Sequence, residues 1–423
     1  MRQGTPDPSL FRNLDARRLW YASACMSAAM WMLHITVALH VLSVADTAAL
    51  AAVQLTGAIP ALLLMPIAGL AADKFPVRSL ALSGVSVQIL AVVGLAISAA
   101  QGSLTALALC FALQGTAMAL WPPSRQQWLY GVIDGDLRQK ANAAIGSLNG
   151  AMTIVGAVGA GVVSIWSPVI AIVAVACLLA LGLLQLLRVS APEPVAERPT
   201  EPKRIGAHLR GFAADLRAGF GATRRFPLAQ SVIWIGIAWG FIGGGYTVMI
   251  NGHVIEDLNG GSIAVAVVFC CDGLAVLVAT VFAGRLPRSA HLPVWGLCYV
   301  VQGLGWASFF LAPNLIATIA CIVVMRFASG FIIALDTTIL LETVPGEFRG
   351  RVTSVHLTTY NAMARLSLAA LGSALAAVSL VWLGVAAGLL SSAFGIVWWL
   401  LAGRRSRSTY MRAPTLDPES VRA

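Results

Sequence analysis

Five ionisable side chains lie in stretches too apolar to hydrate them. Arg326 and Asp336 share CIVVMRFASGFIIALD (321–336), Asp272 interrupts IAVAVVFCCDGLAVLVATVF (263–282), Arg365 falls in NAMARLSLAALG (361–372) and His34 in MWMLHITVAL (30–39). A charge near the middle of a bilayer costs about 2.5–3.5 kcal/mol on insertion scales, so such groups face protein or water and carry partners. A guanidinium is a fork of donors matched to carboxylate or phosphate. A carboxylate or imidazole beside it can take up and release a proton. The chemistry open to this set is binding of a charged solute and movement of a proton. Asp272 alone cannot neutralise both Arg326 and Arg365, so a positive charge is left over, which favours an anionic or zwitterionic solute. The bland alternative is a brace: Asp272 with one arginine would tie helices together, and His34 would be a core histidine bonded within the protein.

The elements that must position these groups are membrane helices. The chain is 58% hydrophobic and 11% charged, with mean hydropathy +0.82, against about 25% charged residues in soluble domains. Apolar runs near the ~20 residues that cross a bilayer occur at 19–43, 47–71, 77–100, 103–122, 142–164, 168–189, 228–250, 261–284, 291–312, 314–341, 352–377 and 379–402. Fold class is thus all-α membrane protein with twelve transmembrane helices. The connections after the even-numbered spans hold Lys74, Arg78, Arg125, Arg138, Lys140 and further basic residues, whereas those after the odd-numbered spans hold no Lys or Arg. The positive-inside rule then predicts a multi-pass protein of the cell inner membrane with both termini cytoplasmic. It also explains the net charge of +10 as topology, not nucleic-acid binding. Counting about 1.5 Å per residue from each span's start, Arg326, Arg365, Asp272 and His34 share one depth near the midplane, and Asp336 lies nearer the cytoplasm. No cleavable signal is expected, because the first apolar run is too long for one. The seven cysteines fall inside spans without metal-ligand spacing and read as packing residues; no metal and no cofactor are expected.

The Pro- and charge-rich segment APEPVAERPTEPKR (191–204) divides the chain. The organisation predicted is an N-terminal segment 1–18, a six-helix bundle 19–189, a linker 190–227 with an amphipathic helix whose apolar face carries Ile205, Leu209, Phe212, Leu216 and Phe220, a second bundle 228–402 and a tail 403–423. The halves look like repeats: DLRQK (136–140) matches EFRGR (347–351), Ala151–Met152 matches Ala362–Met363, and FALQG (111–115) matches RFASG (326–330). Two pseudo-symmetric six-helix bundles follow.

Parallel repeats of this kind describe the major facilitator superfamily (MFS). GLAADKFPVR (69–78) resembles its signature between helices 2 and 3, with Gly69, Asp73, Lys74 and Arg78 matching; the resemblance implies a gating motif there. The chain is similar within it to enterobactin and drug exporters through FRNLDARRLW (11–20), PPSRQQWLYGVIDGDLRQKANA (122–143) and VPGEFRGRVTS (344–354). It departs from them in helix 4, where the exporters' arginine is replaced by Phe111, and in helix 5, where GAVGAG (156–161) lacks the proline.

The resemblance implies that helices 1, 4, 7 and 10 line a central path. Arg326, Arg365, His34, Gln114, Gln54, Trp31 and Trp239 are then the substrate-binding candidates, and Asp272, Asp336 and His34 the proton carriers. His40 and His356 are read as structural. GFIGGGYT (240–247) is expected to kink helix 7 and serve as a gating hinge, since glycine weakens a helix by up to about 1 kcal/mol per residue. The function expected is secondary export, by alternating access and proton antiport, of a small siderophore- or drug-like anion or zwitterion by a monomer. Uptake of an organic anion or sugar-like solute is the alternative. An embedded enzyme or sensor is disfavoured, since no nucleophile–base set and no G-x-x-x-x-G-K-[ST] loop occur.

Overall fold

Lipid offers no hydrogen bonds, so an apolar run that crosses it must satisfy its own backbone, and a helix does so residue by residue. In this chain, a computed structural model, the description covers residues 12–133, 138–190, 214, 217, 219–221 and 223–412; the side chains of 65, 66, 69, 70, 72–74, 138–140, 142, 143, 146 and 147 lie outside it. The linker helix expected at 205–220 therefore falls almost wholly outside the described residues. So do the side chains of Gly69, Asp73 and Lys74.

The helices are α1 (Leu14–Val44), α2 (Thr47–Lys74), α3 (Val77–Ala100), α4 (Leu104–Met118), α5 (Trp121–Val132), α6 (Arg138–Val163), α7 (Pro168–Leu187), α8 (Pro227–Gly243), α9 (Tyr246–Gly252), α10 (Ser262–Ala283), α11 (Arg288–Leu311), α12 (Leu315–Thr343), α13 (Gly346–Leu375), α14 (Leu380–Trp398) and α15 (Arg404–Arg412). Every expected span meets one. Among the described residues ten segments are long and apolar enough to cross a membrane; α6 offers a shorter apolar run over Leu148–Val163, and α13 carries Glu347, Arg349, Arg351 and Arg365. The chain is a multi-pass membrane protein.

Two spans are broken. The fourth was expected to end at 122, but the chain turns at Ala119–Leu120 and continues as α5 to Val132, with proline in its first turn. Proline is tolerated there because the first amides have no helical partner. The seventh breaks at Gly244–Gly245, between α8 and α9, where the glycine run led us to expect it.

The chain forms two compact units, Met1–Leu209 with Val254–Cys270, and Arg210–His253 with Cys271–Ala423. In the first, α1 packs on α6 and α7, α3 on α4 and α7, and α2 on α4. In the second, α8 packs on α13 and α11 on α12 and α14, around Trp295, Tyr299 and Trp398. The two aligned glycines of the repeat do the same work. A Cβ on Gly115 would lie 2.2 Å from the Gly57 carbonyl oxygen, and one on Gly330 would lie 2.9 Å from that of Val276. Span 4 thus approaches span 2 at a glycine, as span 10 approaches span 8.

The α8–α13 contact repeats this approach along a longer stripe. Gly236, Gly240 and Gly244, four residues apart, face His356, Tyr360 and Ala364, also four apart; Cβ atoms on the glycines would lie 2.6 Å from His356 Cε1, 2.6 Å from the Tyr360 carbonyl and 2.2 Å from the Ala364 carbonyl. Small residues at this spacing let membrane helices touch backbone to backbone. The glycines of span 7 therefore have a packing role besides the break.

Within the first unit, the start of α2 is capped twice. Asp46 accepts from the Ala49 amide at 2.8 Å, and Glu256 accepts from both the Thr47 amide and its hydroxyl at 2.8 Å. Carboxylates at a helix N-terminus answer its free amides and partial positive charge.

Candidate functional site

Arg326 of α12 and Asp272 of α10 form a hydrogen-bonded ion pair through the guanidinium Nε and Asp272 Oδ1. The second carboxylate oxygen accepts from the Tyr246 hydroxyl at 2.6 Å. The guanidinium carbon stands 5.0 Å from the Tyr246 ring centroid, and that ring stacks on Trp306 at 5.2 Å. The break after Gly245 is what sets Tyr246 at the head of α9, in reach of both charges. The Asp272 side chain is 6% exposed and that of Arg326 22%. The carboxylate is nearly sealed, while the arginine side chain as a whole keeps some exposure. Arg365, expected to join this charged floor, does not: its side chain is exposed and makes no ion pair or hydrogen bond among the described residues. A single carboxylate has bound a single arginine, as the charge balance requires.

A second buried carboxylate lies on α12. Asp336 accepts from the Trp295 indole at 2.7 Å, and its other oxygen is 3.6 Å from His356 Nε2. His356, read from sequence as structural, is thus an imidazole neighbour of Asp336, and among the described residues its buried Nδ1 has no hydrogen-bond partner. Trp239 stands edge-on to Tyr299, whose ring in turn meets Trp295 at 4.8 Å.

The first unit contains a separate cavity of ≈ 230 Å³. Trp31 and Gln114 line it, together with Ser27, Gln88, Asn149 and Arg125. Arg125 was expected in a cytoplasmic connection. The continuation of span 4 into α5 instead carries it onto the helix, eleven residues beyond Gln114, which is close to three full turns. His34 and Gln54 do not line this cavity. His34 Nδ1 is 2.8 Å from the Met30 carbonyl and its ring meets Phe111 edge-on; Gln54 reaches the His34 carbonyl at 3.5 Å. Arg78 donates to the Leu187 carbonyl at 2.9 Å, from the start of α3 to the end of α7. Among the described residues no group of three His, Cys, Asp or Glu side chains could hold a metal ion.

The model of the Major Facilitator Superfamily matches residues 19–362. The chain belongs to this family. It is similar to the lysophospholipid transporter LplT of Salmonella newport (strain SL254) and of Salmonella enteritidis PT4 (strain P125109), 27% identical over 227 residues, which cover 48% of this chain and 55% of each relative. The chain thus spans about half the length of the curated relatives it matches. Among solved structures it resembles the nucleoside transporter NupG (TM-score 0.66, 14% identity, 95% of this chain and 100% of that one) and a POT family transporter in complex with 5-aminolevulinic acid (TM-score 0.69, 12% identity, 96% of this chain and 98% of that one). At these identities the structures speak for the fold.

This MFS chain is therefore a transporter and not an enzyme. Sequence reasoning missed three of the side chains described above. Tyr246 was hidden as the residue after a glycine run. His356 lies just inside the start of its span and looked peripheral, though it sits four residues before Tyr360 on the face that α8 contacts. Arg125 was hidden by Pro122 and Pro123, which read as a helix end.

Proposed function

We propose that this MFS protein carries a small anionic or zwitterionic amphiphile across the cell inner membrane by alternating access, as a monomer with both termini cytoplasmic, moving it outward against an inward flow of protons. The observation that carries the reading is the Arg326–Asp272 pair, a nearly sealed carboxylate bound to an arginine whose side chain keeps some exposure. An incoming carboxylate or phosphate competes with Asp272 for Arg326. Asp272, still held by Tyr246, is then open either to the cationic group of a zwitterionic solute or to a proton, because an unpaired charge in a low dielectric is paired or neutralised. The two exclude each other: solute fills the site on the way out, and a proton on Asp272 fills it on the way back in. That alternation at one site couples outward solute to inward protons. Asp336 beside His356 offers the next stop for the proton within the same unit. Arg365 lies free to meet the solute.

The substrate class is supported from two sides. Arg326 and Arg365 against Asp272 favour negative charge, and the relatives LplT are named for lysophospholipids, which are amphiphiles with a phosphate head. A lysophospholipid-like solute fits both, and a siderophore- or drug-like anion fits the charge alone. The test is flux of a fluorescent lysophospholipid in vesicles of both orientations, with and without a pH gradient, for the wild type, Arg326→Gln and Asp272→Asn. We expect outward flux driven by inward protons, abolished by Arg326→Gln and uncoupled from pH by Asp272→Asn. Unchanged flux in both variants removes the site; accumulation in right-side-out vesicles reverses the direction to uptake and leaves the site standing.

A further inference from the structure

Among the described residues, the first unit holds a guanidinium with no carboxylate beside it. Arg125 lines the ≈ 230 Å³ cavity among α1, α3, α4, α5, α6 and α7, and among the described residues no acidic side chain lines it. Its Nε is fully buried and has no hydrogen-bond partner among the described residues. A buried charge without a counterion is costly, and proteins normally pair it or use it. The polar groups nearby are donors or can become donors. Ser27 donates to Asn149 Oδ1 at 2.7 Å, which occupies the carboxamide oxygen and leaves its NH₂ group to the cavity. Gln114 contacts the Met118 sulfur, at 3.7 Å. The rest of the wall is apolar and adaptable: Met26, Met30, Met118 and Trp31. Methionine linings conform to varied apolar shapes.

We propose that this cavity is an anion site in which the Arg125 guanidinium, with Asn149 and Gln114, binds the phosphate or carboxylate group of an amphiphile while the methionine and Trp31 wall takes the apolar part next to it. Arginine suits this task because its fork matches the oxygens of either anion. Typical whole-ligand pockets measure about 300–1,000 Å³, so ≈ 230 Å³ takes a head group and the first part of a chain. The site shares only its substrate class with the proposed function. It lies in the other unit and uses neither Arg326 nor Asp272.

Binding to the purified full-length protein in a nonionic detergent tests it, with dodecyl phosphate, inorganic phosphate and uncharged dodecanol as probes and the fluorescence of Trp31 and Trp121, both in the lining, as the readout. Dodecyl phosphate should bind and dodecanol should not. Arg125→Gln should weaken dodecyl phosphate at least about 10-fold, the scale of a lost charge-assisted bond. Arg125→Lys should weaken it less, and Asn149→Ala should weaken it even if the Gln variant fails to fold. Arg326→Gln should abolish transport yet leave this binding intact, which separates the two sites. Binding of inorganic phosphate that depends on Arg125 would assign the site to a soluble anion; dependence on the alkyl chain as well would assign it to a lipid-like one. Equal affinity in the wild type, Arg125→Gln and Asn149→Ala, or equal binding of dodecanol, overturns the proposal.

Discussion

The Tyr246 hydroxyl lies 2.6 Å from Asp272 Oδ2 and donates to it, leaving the other oxygen of the same carboxylate to Arg326. The two bonds make Asp272 the centre of a three-residue unit. Removing its charge alone should be worse than removing both charges. Asp272→Asn leaves Arg326 unpaired in a mostly buried place, and we expect a loss of about 3 kcal/mol. Arg326→Met added to it should restore much of that. Thermal unfolding of the two variants in detergent measures the difference. A double variant no more stable than Asp272→Asn would show that the pair does not act as one charge unit.

Tyr246→Phe removes one of the two acceptor contacts of Asp272 without touching the ion pair. The fold should survive with a loss of about 1 kcal/mol. Proton-driven flux should fall while downhill flux persists, because the freed carboxyl is no longer held in place. Parallel vesicle assays with and without a pH gradient check this.

At the packed face of α8 the prediction concerns size. Gly244→Ala sets a methyl 2.2 Å from the Ala364 carbonyl oxygen, and overpacking of this kind costs about 1–3 kcal/mol. Gly243→Ala meets only the Trp239 ring, at 3.2 Å, and should be milder. Comparing their yields of folded protein and unfolding temperatures tests the stripe. If Gly243→Ala proves the more damaging, the break after α8 matters more than the contact beneath it.

Glu256 offers a local measurement. Its two 2.8 Å bonds hold the Thr47 amide and hydroxyl, so Glu256→Ala should cost about 1–2 kcal/mol. Amide exchange at 47–49 should quicken, with little change deeper in α2. Unaltered exchange at Thr47 would show that the cap is not formed in solution.

A last prediction concerns α15. The Tyr410 hydroxyl donates to Glu342 at 2.5 Å, lies 2.9 Å from His291 Nδ1, and its ring stands 4.8 Å from the Arg288 guanidinium. Tyr410→Phe should release α15 and hasten trypsin cleavage at Arg404, Arg405 and Arg407. Cleavage at the wild-type rate would show that the helix is held by other means.

Much of this was legible from hydropathy alone, because lipid enforces helix and the spacing of apolar runs marks where each begins. Arg326 and Asp272 fell at one depth by simple counting, and they pair. The misreadings have physical causes. Pro122 and Pro123 mark a helix start as readily as an end, which misplaced Arg125. Arg365 shares the depth of Arg326 but not its partner, since depth says nothing of rotation about the helix axis. His356 became visible only with the Gly236–Gly240–Gly244 contact, which needs the neighbour's face as well as its own.

That contact has a mechanical consequence. Where Gly236, Gly240 and Gly244 meet His356, Tyr360 and Ala364, α8 presents a track of bare hydrogens with no side chain to climb over a ridge. Displacement along that track meets the Tyr360 and Ala364 backbone at Gly240 and Gly244 and the His356 ring at Gly236, whereas lateral parting would open the backbone seam. Any sliding of one helix past the other has, along this line, a guide rail laid down by three absent methyl groups, with the imidazole as its stop.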